Sequence, residues 1–208
     1  MKNILLNDRD IKVLQEVSRW KYCLGRQIRL IASFSGERSC DRRLRKLIDA
    51  GYLERKHILY GVPGLYFLTP QTKRLGGIKY YSYKIKLGEV MHDLAVIDTV
   101  LFLSQKYFLS LDDFKSEREL HSQDGFSNRK HQPDAAFTLN GEHCCLEVEF
   151  SEKSKARFQA NVKDNFQNYD QQIWVIPKSE TKIKQMLIDT KIPDIEVMEW
   201  ETVKNARQ

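Results

Sequence analysis

The sequence contains no long apolar segment, no CxxC pair and no two histidines separated by a single residue. A membrane-spanning helix needs about 18 consecutive apolar residues, and the N-terminal residues MKNILLNDRD lack the apolar region of a secretory signal peptide. We therefore expect a cytoplasmic protein without a membrane partner.

Cysteine is also scarce, with only Cys23, Cys40, Cys144 and Cys145 in 208 residues. Neighbouring residues of a strand point to opposite faces, so Cys144 and Cys145 cannot bind one ligand together. This spacing indicates neither a zinc site nor a disulfide framework. We expect all four to be buried, reduced thiols.

Charge is distributed unevenly along the chain. Residues 1–80 hold 17 Lys and Arg and 7 Asp and Glu, a net charge of +10, whereas residues 81–208 hold 17 and 21, a net charge of −4. A chain of this length forms one large domain or two small ones. The asymmetry favours two, with a basic nucleic-acid-binding module first.

The first eighty residues predict three helices followed by a β-hairpin. The predicted elements are a helix beginning at Asp8 and capped by Asn7 or Asp8, a helix over 24–31, a helix from an N-cap at Ser39 to a C-cap at Gly51, and strands over 52–56 and 65–69. This order resembles a winged helix-turn-helix, which implies binding to double-stranded DNA.

Basic side chains mark the expected DNA interface. They are Arg42, Arg43, Arg45 and Lys46 on the third helix, and Arg55 and Lys56 in the hairpin. An arginine fork can pair with guanine or grip a phosphate, so the three arginines are placed in or beside the major groove. A solvated helix face is the alternative reading of the same residues.

The rest of the chain predicts a second α/β domain. Its predicted elements are a helix over 89–106, strands over 108–115, 134–139 and 144–150, a helix over 153–168, a strand over 172–177, a helix over 179–190 and a strand over 195–200. The predicted domains are 1–72 and 88–208, joined by a linker over 73–87 that is rich in Lys, Tyr and Gly.

Three carboxylates converge in this second domain. Glu147 and Glu149 alternate along one strand and so share a face. Asn140-Gly141 is a two-residue hairpin signal that returns Asp134 to the same end. Like charges this close repel unless a cation lies between them, so we expect a metal site there, with an exposed strand face as the alternative.

This arrangement resembles the PD-(D/E)xK restriction-endonuclease-like fold. The resemblance implies that Asp134, Glu147 and Glu149 bind Mg²⁺ or Mn²⁺ and that a lysine assists the attack of water on a phosphate. Glu149 stands where the family has that lysine. Either the site tolerates a second acid, or Lys153 or Lys155 of the following helix supplies the cation.

A wider set of motifs resembles the replication-relaxation family, to which MobC plasmid mobilisation proteins belong. The motifs are SEREL from Ser116, HQPDA from His131 and LEVEFSEKSKARF from Leu146, behind a winged helix and a His92-Asp93-Leu94 helix. By position, the family's recurring residues match Glu117, His131, Asp134, Glu147, Glu149 and Lys153. The resemblance implies relaxosome or transfer-machinery partners and strand nicking, and a homodimer on a palindrome is compatible with it.

Two functions remain open at this stage. One is a Mg²⁺-dependent DNA endonuclease or nickase, and the other is an inactive accessory or regulatory protein that keeps the nuclease fold and only binds DNA and partner proteins. A tyrosine-transesterase relaxase is discounted because its metal site needs clustered histidines, whereas the five here, at 57, 92, 121, 131 and 143, are scattered. The predicted fold class is α+β, a winged helix-turn-helix followed by a PD-(D/E)xK-like α/β domain.

Overall fold

A computed structural model describes residues 4–82, 84–125, 131–151 and 154–206. The chain divides into two compact units, residues 1–97 and 98–208. The class is mixed α and β, and the larger sheet combines parallel and antiparallel strands. Among the described residues, no helix is both long enough and apolar enough to cross a membrane.

The first unit begins with three helices and a small sheet. Its elements are α1 (Asp8–Arg19), β1 (Cys23–Leu24), α2 (Gly25–Ile31), α3 (Glu37–Asp49), β2 (Leu53–Lys56) and β3 (Leu65–Leu68). The sheet is antiparallel in the order β1-β3-β2. The three helices and the hairpin are therefore those expected, while β1 is too short to leave a period-2 signal.

Helix ends follow local capping chemistry. Asn7 caps α1: its side chain accepts the Asp10 N–H at 3.0 Å, and the Asp10 carboxylate accepts the Asn7 N–H at 2.9 Å. Gly51, at φ +82°, follows the last turn of α3 as expected. The N-cap predicted at Ser39 is wrong, because the N-cap of α3 is Gly36, three residues earlier, and the Ser39 hydroxyl instead donates to the Gly36 carbonyl at 2.7 Å.

The segment predicted as a linker belongs to the first unit. After a 3₁₀ turn at Pro70–Arg74, Ile78 is buried and the Ser18 hydroxyl donates to the Lys79 carbonyl. Ile85 packs against the core formed by the sheet and the start of the next helix. The contacts therefore place the division of the chain later than residue 88.

Helix α4 (Val90–Tyr107) matches the helix expected over 89–106. In the first unit its residues Val90 and Leu94 pack against Tyr22 and the small sheet. Asp93 accepts the Tyr22 hydroxyl at 2.7 Å and lies 3.3 Å from the Lys21 ammonium. Burial would raise the pKa of Asp93, but the hydrogen bond with His92, the charge of Lys21 and the Tyr22 hydroxyl hold it below its usual value.

The second unit contains a five-stranded mixed sheet. Its elements after α4 are β4 (Lys115–Ser116), α5 (Glu117–Asp124), β5 (Ala135–Leu139), β6 (Glu142–Val148), α6 (Lys155–Asn168), β7 (Gln171–Ile176), α7 (Thr181–Thr190), β8 (Ile195–Glu199) and α8 (Trp200–Asn205). The strand order is β4-β5-β6-β7-β8. Strands β4, β5 and β6 pair antiparallel, and β6, β7 and β8 pair parallel.

Strand β6 lies at the centre of this sheet, and its residues 144–148 are buried on both faces. Helix α6 covers one face through Phe158 and Val162, which pack with Trp174 of β7. The alternative that Glu147 and Glu149 form an exposed strand face is wrong, since their exposed fractions are 3% and 4%.

The prediction of a strand over 108–115 is also wrong. Phe108 has a positive φ of 56°, and a 3₁₀ turn capped by Ser110 occupies Leu111–Asp113. Only Lys115–Ser116 pairs with β5. Helices α5 and α8 are short and amphipathic over too few turns to stand out in the sequence, and the prediction did not include them.

Candidate functional site

The β5–β6 hairpin brings Asp134 to Glu147. Asn140 and Gly141 both have positive φ, 53° and 90°, as a tight two-residue hairpin turn requires. The register pairs Ala135 with Leu146, so the preceding Asp134 falls opposite Glu147. Asp134 Oδ2 accepts the Val148 N–H at 2.7 Å, which fixes its carboxylate against β6.

Glu147 is a buried carboxylate held by two nitrogen groups. Its Oε1 lies 2.7 Å from Nε2 of His131 and accepts a hydrogen bond from Nδ2 of Asn165 at 2.8 Å. Burial raises the pKa of Glu147 and the charge of Asp134 adds to this, while the two hydrogen bonds act in the opposite sense. In this carboxylate pair Glu147 therefore binds a proton more readily than an ordinary glutamate does, unless a positive charge lies near it.

Glu149 shares the face of Glu147 and is also buried. Its N–H donates to the Val175 carbonyl at 3.0 Å, and its Oε1 accepts the Ser151 N–H at 3.4 Å. Lys153, one of the two lysines considered as the assisting cation, lies outside the described residues. Lys155 is the first residue of α6 and is exposed.

Glu117 approaches the site through its backbone. Its N–H donates to the Asp134 carbonyl at 3.0 Å, which ties the start of α5 to the start of β5. Its side chain is half exposed and lies 3.7 Å from Nε2 of His121. The structure thus brings Asp134, Glu147 and His131 together and leaves the Glu117 carboxylate at the surface.

Asn165 is a site residue that the sequence reasoning missed. It lies on the inward face of α6, which also carries the apolar Phe158 and Val162, and its exposed fraction is 1%. A polar residue on the apolar stripe of a helix needs a partner, because an unsatisfied buried amide is costly. The position of Asn165 on the apolar face of the predicted helix could therefore have identified it from the sequence as a residue with a buried polar partner.

Basic side chains line the outer face of α3 in the first unit. Arg38, Arg42, Arg45 and Lys46 are all exposed, and the first three recur at the spacing of one helical face. Arg38 was not among the predicted interface residues. The four together form what we term the α3 basic face.

Arg43 points away from this face and pairs with Asp10. Its Nε lies 2.6 Å from Asp10 Oδ1, a second guanidinium nitrogen donates to Oδ2, and the same nitrogen donates to the Leu5 carbonyl at 2.9 Å. Asp10 is fully buried, and a bidentate pair of this kind fixes both side chains. The guanidinium therefore joins α3 to α1, which is a structural role.

Arg55 and Lys56 are exposed on β2 of the hairpin. The Arg55 guanidinium lies 5.5 Å from the centre of the Tyr66 ring. Its side chain packs against Gly64, where a Cβ atom would lie only 2.6 Å from Arg55 Nε. The Lys56 ammonium pairs with Glu54 and lies 5.6 Å from the Phe67 ring. Both cations thus reach the surface with neighbours that restrict their side chains.

Hard oxygen donors of the kind that Asp134 and Glu147 present suit Mg²⁺ or Mn²⁺. Both nitrogen contacts of Glu147 go to Oε1, so its Oε2 and the Asp134 carboxylate are the atoms that would bind a divalent cation here. Within the part of the chain that the structure describes, no group of three or more His, Cys, Asp or Glu side chains is arranged to hold a metal ion.

Comparison with models of known protein families gives no match for this chain, and comparison with curated proteins gives none. The resemblance to MobC proteins and to PD-(D/E)xK nucleases is inferred from sequence motifs and the order of predicted elements, and these comparisons add nothing to it.

Proposed function

We propose that this chain is a DNA-binding protein of plasmid mobilisation whose second unit is a metal-dependent endonuclease or nickase. The first unit supports DNA binding through its element order, α1-β1-α2-α3-β2-β3 with the sheet β1-β3-β2, which is the order of a winged helix-turn-helix. In such proteins the helix before the hairpin enters the major groove. Here that helix is α3, and its outer surface is the α3 basic face.

One observation carries the nuclease proposal: Asp134 faces Glu147 across neighbouring strands, close enough for its charge to affect the pKa of Glu147. A buried carboxylate is rarely placed beside a second acid without a function, because the charge of the neighbour adds to the cost of ionising the buried one. The helix α4, the antiparallel strands β4, β5 and β6, the crossover helix α6 and the parallel strand β7 follow the order of the PD-(D/E)xK core.

In this proposal Asp134 and Glu147, with Glu149 beside them, hold Mg²⁺ or Mn²⁺. The bound ion would stabilise charge on the phosphate and lower the pKa of a water molecule. His131 positions Glu147 through the 2.7 Å contact, and Asn165 holds the same oxygen from α6. Lys153 is proposed, by resemblance alone, to neutralise the phosphate. The α3 basic face selects and grips the duplex.

A second function is favoured by a specific observation. Glu147 Oε1 and Asp134 Oδ2 already accept hydrogen bonds from protein groups, and Glu149 occupies the position of the family's lysine. Carboxylates satisfied in this way can brace a scaffold without any reaction. In this alternative the chain is an inactive accessory protein that binds DNA and other relaxosome components.

The two functions are separated by a nicking assay on supercoiled plasmid carrying a transfer origin, with Mg²⁺ or Mn²⁺. The endonuclease proposal expects metal-dependent relaxed product that Asp134→Asn abolishes. Asp189→Asn, which changes an exposed acid of α7 in the same unit, serves as the matched control and should cut normally. Persistent DNA binding without any metal-dependent product in the wild-type protein would establish the accessory function instead.

A further inference from the structure

The second unit contains a cleft of about 420 Å³ beside His131 and Asn165. Its floor is formed by Ala136 and Thr138 of β5 and by His143 of β6, which share the sheet face of Glu147. Helices α5 and α6 form its two walls. A volume of this size suits a small-molecule group.

Amide and aromatic side chains dominate the lining of this cleft. The amides are Gln123, Gln132, Asn165 and Asn168, and the rings are His131, Phe137, His143 and Tyr169. Each amide makes a hydrogen bond within the protein: Gln132, Asn165 and Asn168 donate to Asp124, Glu147 and the Asp164 carbonyl, and Gln123 accepts from Lys115. A side-chain amide has two N–H donors and an acceptor oxygen, so it can make a further hydrogen bond to the edge of a nucleobase. Tyr and His rings offer flat surfaces on which an unpaired base stacks.

Tyr169 is the ring best placed to meet a ligand. Among the described residues no hydrogen bond is made to its hydroxyl, although the residue lines the cleft. Burial, together with the charges of Cys145, Asp124 and Glu147, raises the pKa of Tyr169 to about 12. The phenol is therefore neutral at physiological pH and can donate a hydrogen bond.

The described lining of the cleft carries more negative than positive charge, which disfavours phosphate. Among the residues that the structure describes, Asp113, Asp124 and Asp164 line it against one lysine, Lys115. Two of these acids already accept hydrogen bonds within the protein, Asp113 from the Ser110 N–H at 2.8 Å and Asp124 from the Gln132 amide. The lining thus repels anions without offering a cluster of free carboxylates to a cation, and a neutral polar ring fits it better than either.

We propose that this cleft takes up one unpaired nucleobase of a nucleic-acid strand while the phosphates remain outside. The inference rests on the proposed function in requiring a nucleic-acid partner, but it does not require metal binding or cutting. It would place a base next to the His131–Glu147 pair, so that a strand with an extruded or single-stranded base is recognised beside the carboxylates.

The test measures binding of free nucleosides to the full chain by calorimetry or ligand-observed NMR, without metal. Adenosine, guanosine, cytidine and thymidine are compared with their 5′-monophosphates, with ribose 5-phosphate and with argininamide. We expect at least one nucleoside to bind, its monophosphate to bind no more tightly, and ribose 5-phosphate and argininamide not to bind.

Variants locate the site. Tyr169→Ala should weaken nucleoside binding by about tenfold or more, since loss of base stacking on one ring has effects of that order. Tyr169→Phe keeps the ring but loses the hydroxyl, so it should weaken binding less than Tyr169→Ala does. Phe166→Ala removes an exposed ring of α6 outside the cleft and should change nothing. Thr138→Trp, at an exposed position of the floor, should block binding without disturbing the core.

Three results would overturn the proposal: no nucleoside binds, argininamide binds in place of the nucleosides, or Tyr169→Ala and Phe166→Ala have equal effects. The outcome is independent of the nicking assay. Nucleoside binding without plasmid cutting would leave the cleft proposal standing while the endonuclease proposal fails, and cutting without nucleoside binding would do the reverse.

Discussion

Nε2 of His131 lies 2.7 Å from Oε1 of Glu147, and this contact joins the segment before β5 to the buried centre of the sheet. Asn165 reaches the same oxygen from α6. One carboxylate is therefore held from two directions by groups that are far apart in the sequence. In the sequence His131 is only three residues from Asp134, whereas in the structure its ring contacts the acid on the neighbouring strand.

Glu147→Gln should raise the stability of the protein at neutral pH. Because the folded protein raises the pKa of Glu147, the native state binds more protons than the unfolded state between the ordinary value near 4.5 and the folded value. Wild-type stability thus falls as pH rises through that window, by about 1.4 kcal/mol for each unit by which the pKa is raised. Glutamine has no charge to bury.

Urea unfolding at a series of pH values measures this difference. Glu142→Gln, an exposed change on the same strand, should leave the pH profile as it is. If Glu147→Gln proves less stable than the wild type at pH 7, the carboxylate is stabilised by its partners more than it is penalised by burial.

Asn165→Ala should destabilise the protein by roughly 1–3 kcal/mol, because it removes a hydrogen bond to a buried carboxylate and leaves that oxygen less well satisfied. The same change should raise the pKa of Glu147 further. Gln167→Ala, an exposed residue of the same helix, is the control and should stay within about 0.5 kcal/mol of the wild type. Chemical denaturation compares the two, and equal effects would show that the amide contributes little.

Arg42→Ala should weaken DNA binding, whereas Arg43→Ala should lower the stability of the fold, although the two residues are adjacent. Arg42 is exposed on the α3 basic face, so its loss should weaken DNA binding and reduce the slope of log affinity against log salt by roughly one per lost phosphate contact. Arg43 is bonded to the buried Asp10, so its loss should cost about 2–4 kcal/mol of stability by leaving that carboxylate unpaired.

Fluorescence anisotropy with duplex DNA at several salt concentrations, together with thermal unfolding, separates the two effects. A stability loss in Arg42→Ala comparable to that in Arg43→Ala would contradict the assignment. A salt-independent affinity would contradict DNA binding through the α3 basic face altogether.

Asp93→Asn should destabilise the first unit at neutral pH by roughly 1–3 kcal/mol. The change removes a carboxylate that pairs with the Lys21 ammonium and accepts a hydrogen bond from the Tyr22 hydroxyl. The pKa of Asp93 is held below its ordinary value near 3.8, so its contribution is present above that pH and is lost as pH falls through the folded value. The difference between variant and wild type should therefore narrow in acid. Unfolding at pH 7 and pH 3, with the exposed Asp49→Asn as control, measures it.

Strong local signals made much of the fold predictable. Asn140-Gly141 requires positive φ at two successive residues, and this alone fixed the β5–β6 pairing and the approach of Asp134 to Glu147. The apolar stripe of α4 similarly gave its bounds to within a residue. Elements whose periodicity covers several turns, or whose turn residues allow one geometry, can be derived from sequence.

Elements stabilised by distant contacts could not be derived in this way. Residues 108–115 have strand-forming composition, but the Ser110 cap and the short pairing of Lys115 with Ala136 leave them mostly irregular. The pairing of Arg43 with Asp10 depends on how α1 and α3 pack, which the helix pattern does not specify. The burial of Glu147 likewise depends on α6, which follows it in the chain.

All four cysteines, Cys23, Cys40, Cys144 and Cys145, are buried and unbridged, and burial raises the pKa of the Cys40 and Cys144 thiols to about 11. The thiolate is the reactive form, so the native chain should be nearly inert to maleimide at neutral pH. A single cysteine introduced at the exposed Ser35 or Glu142 could then carry a fluorophore without removal of any native thiol, which makes the protein a convenient subject for distance measurements by energy transfer.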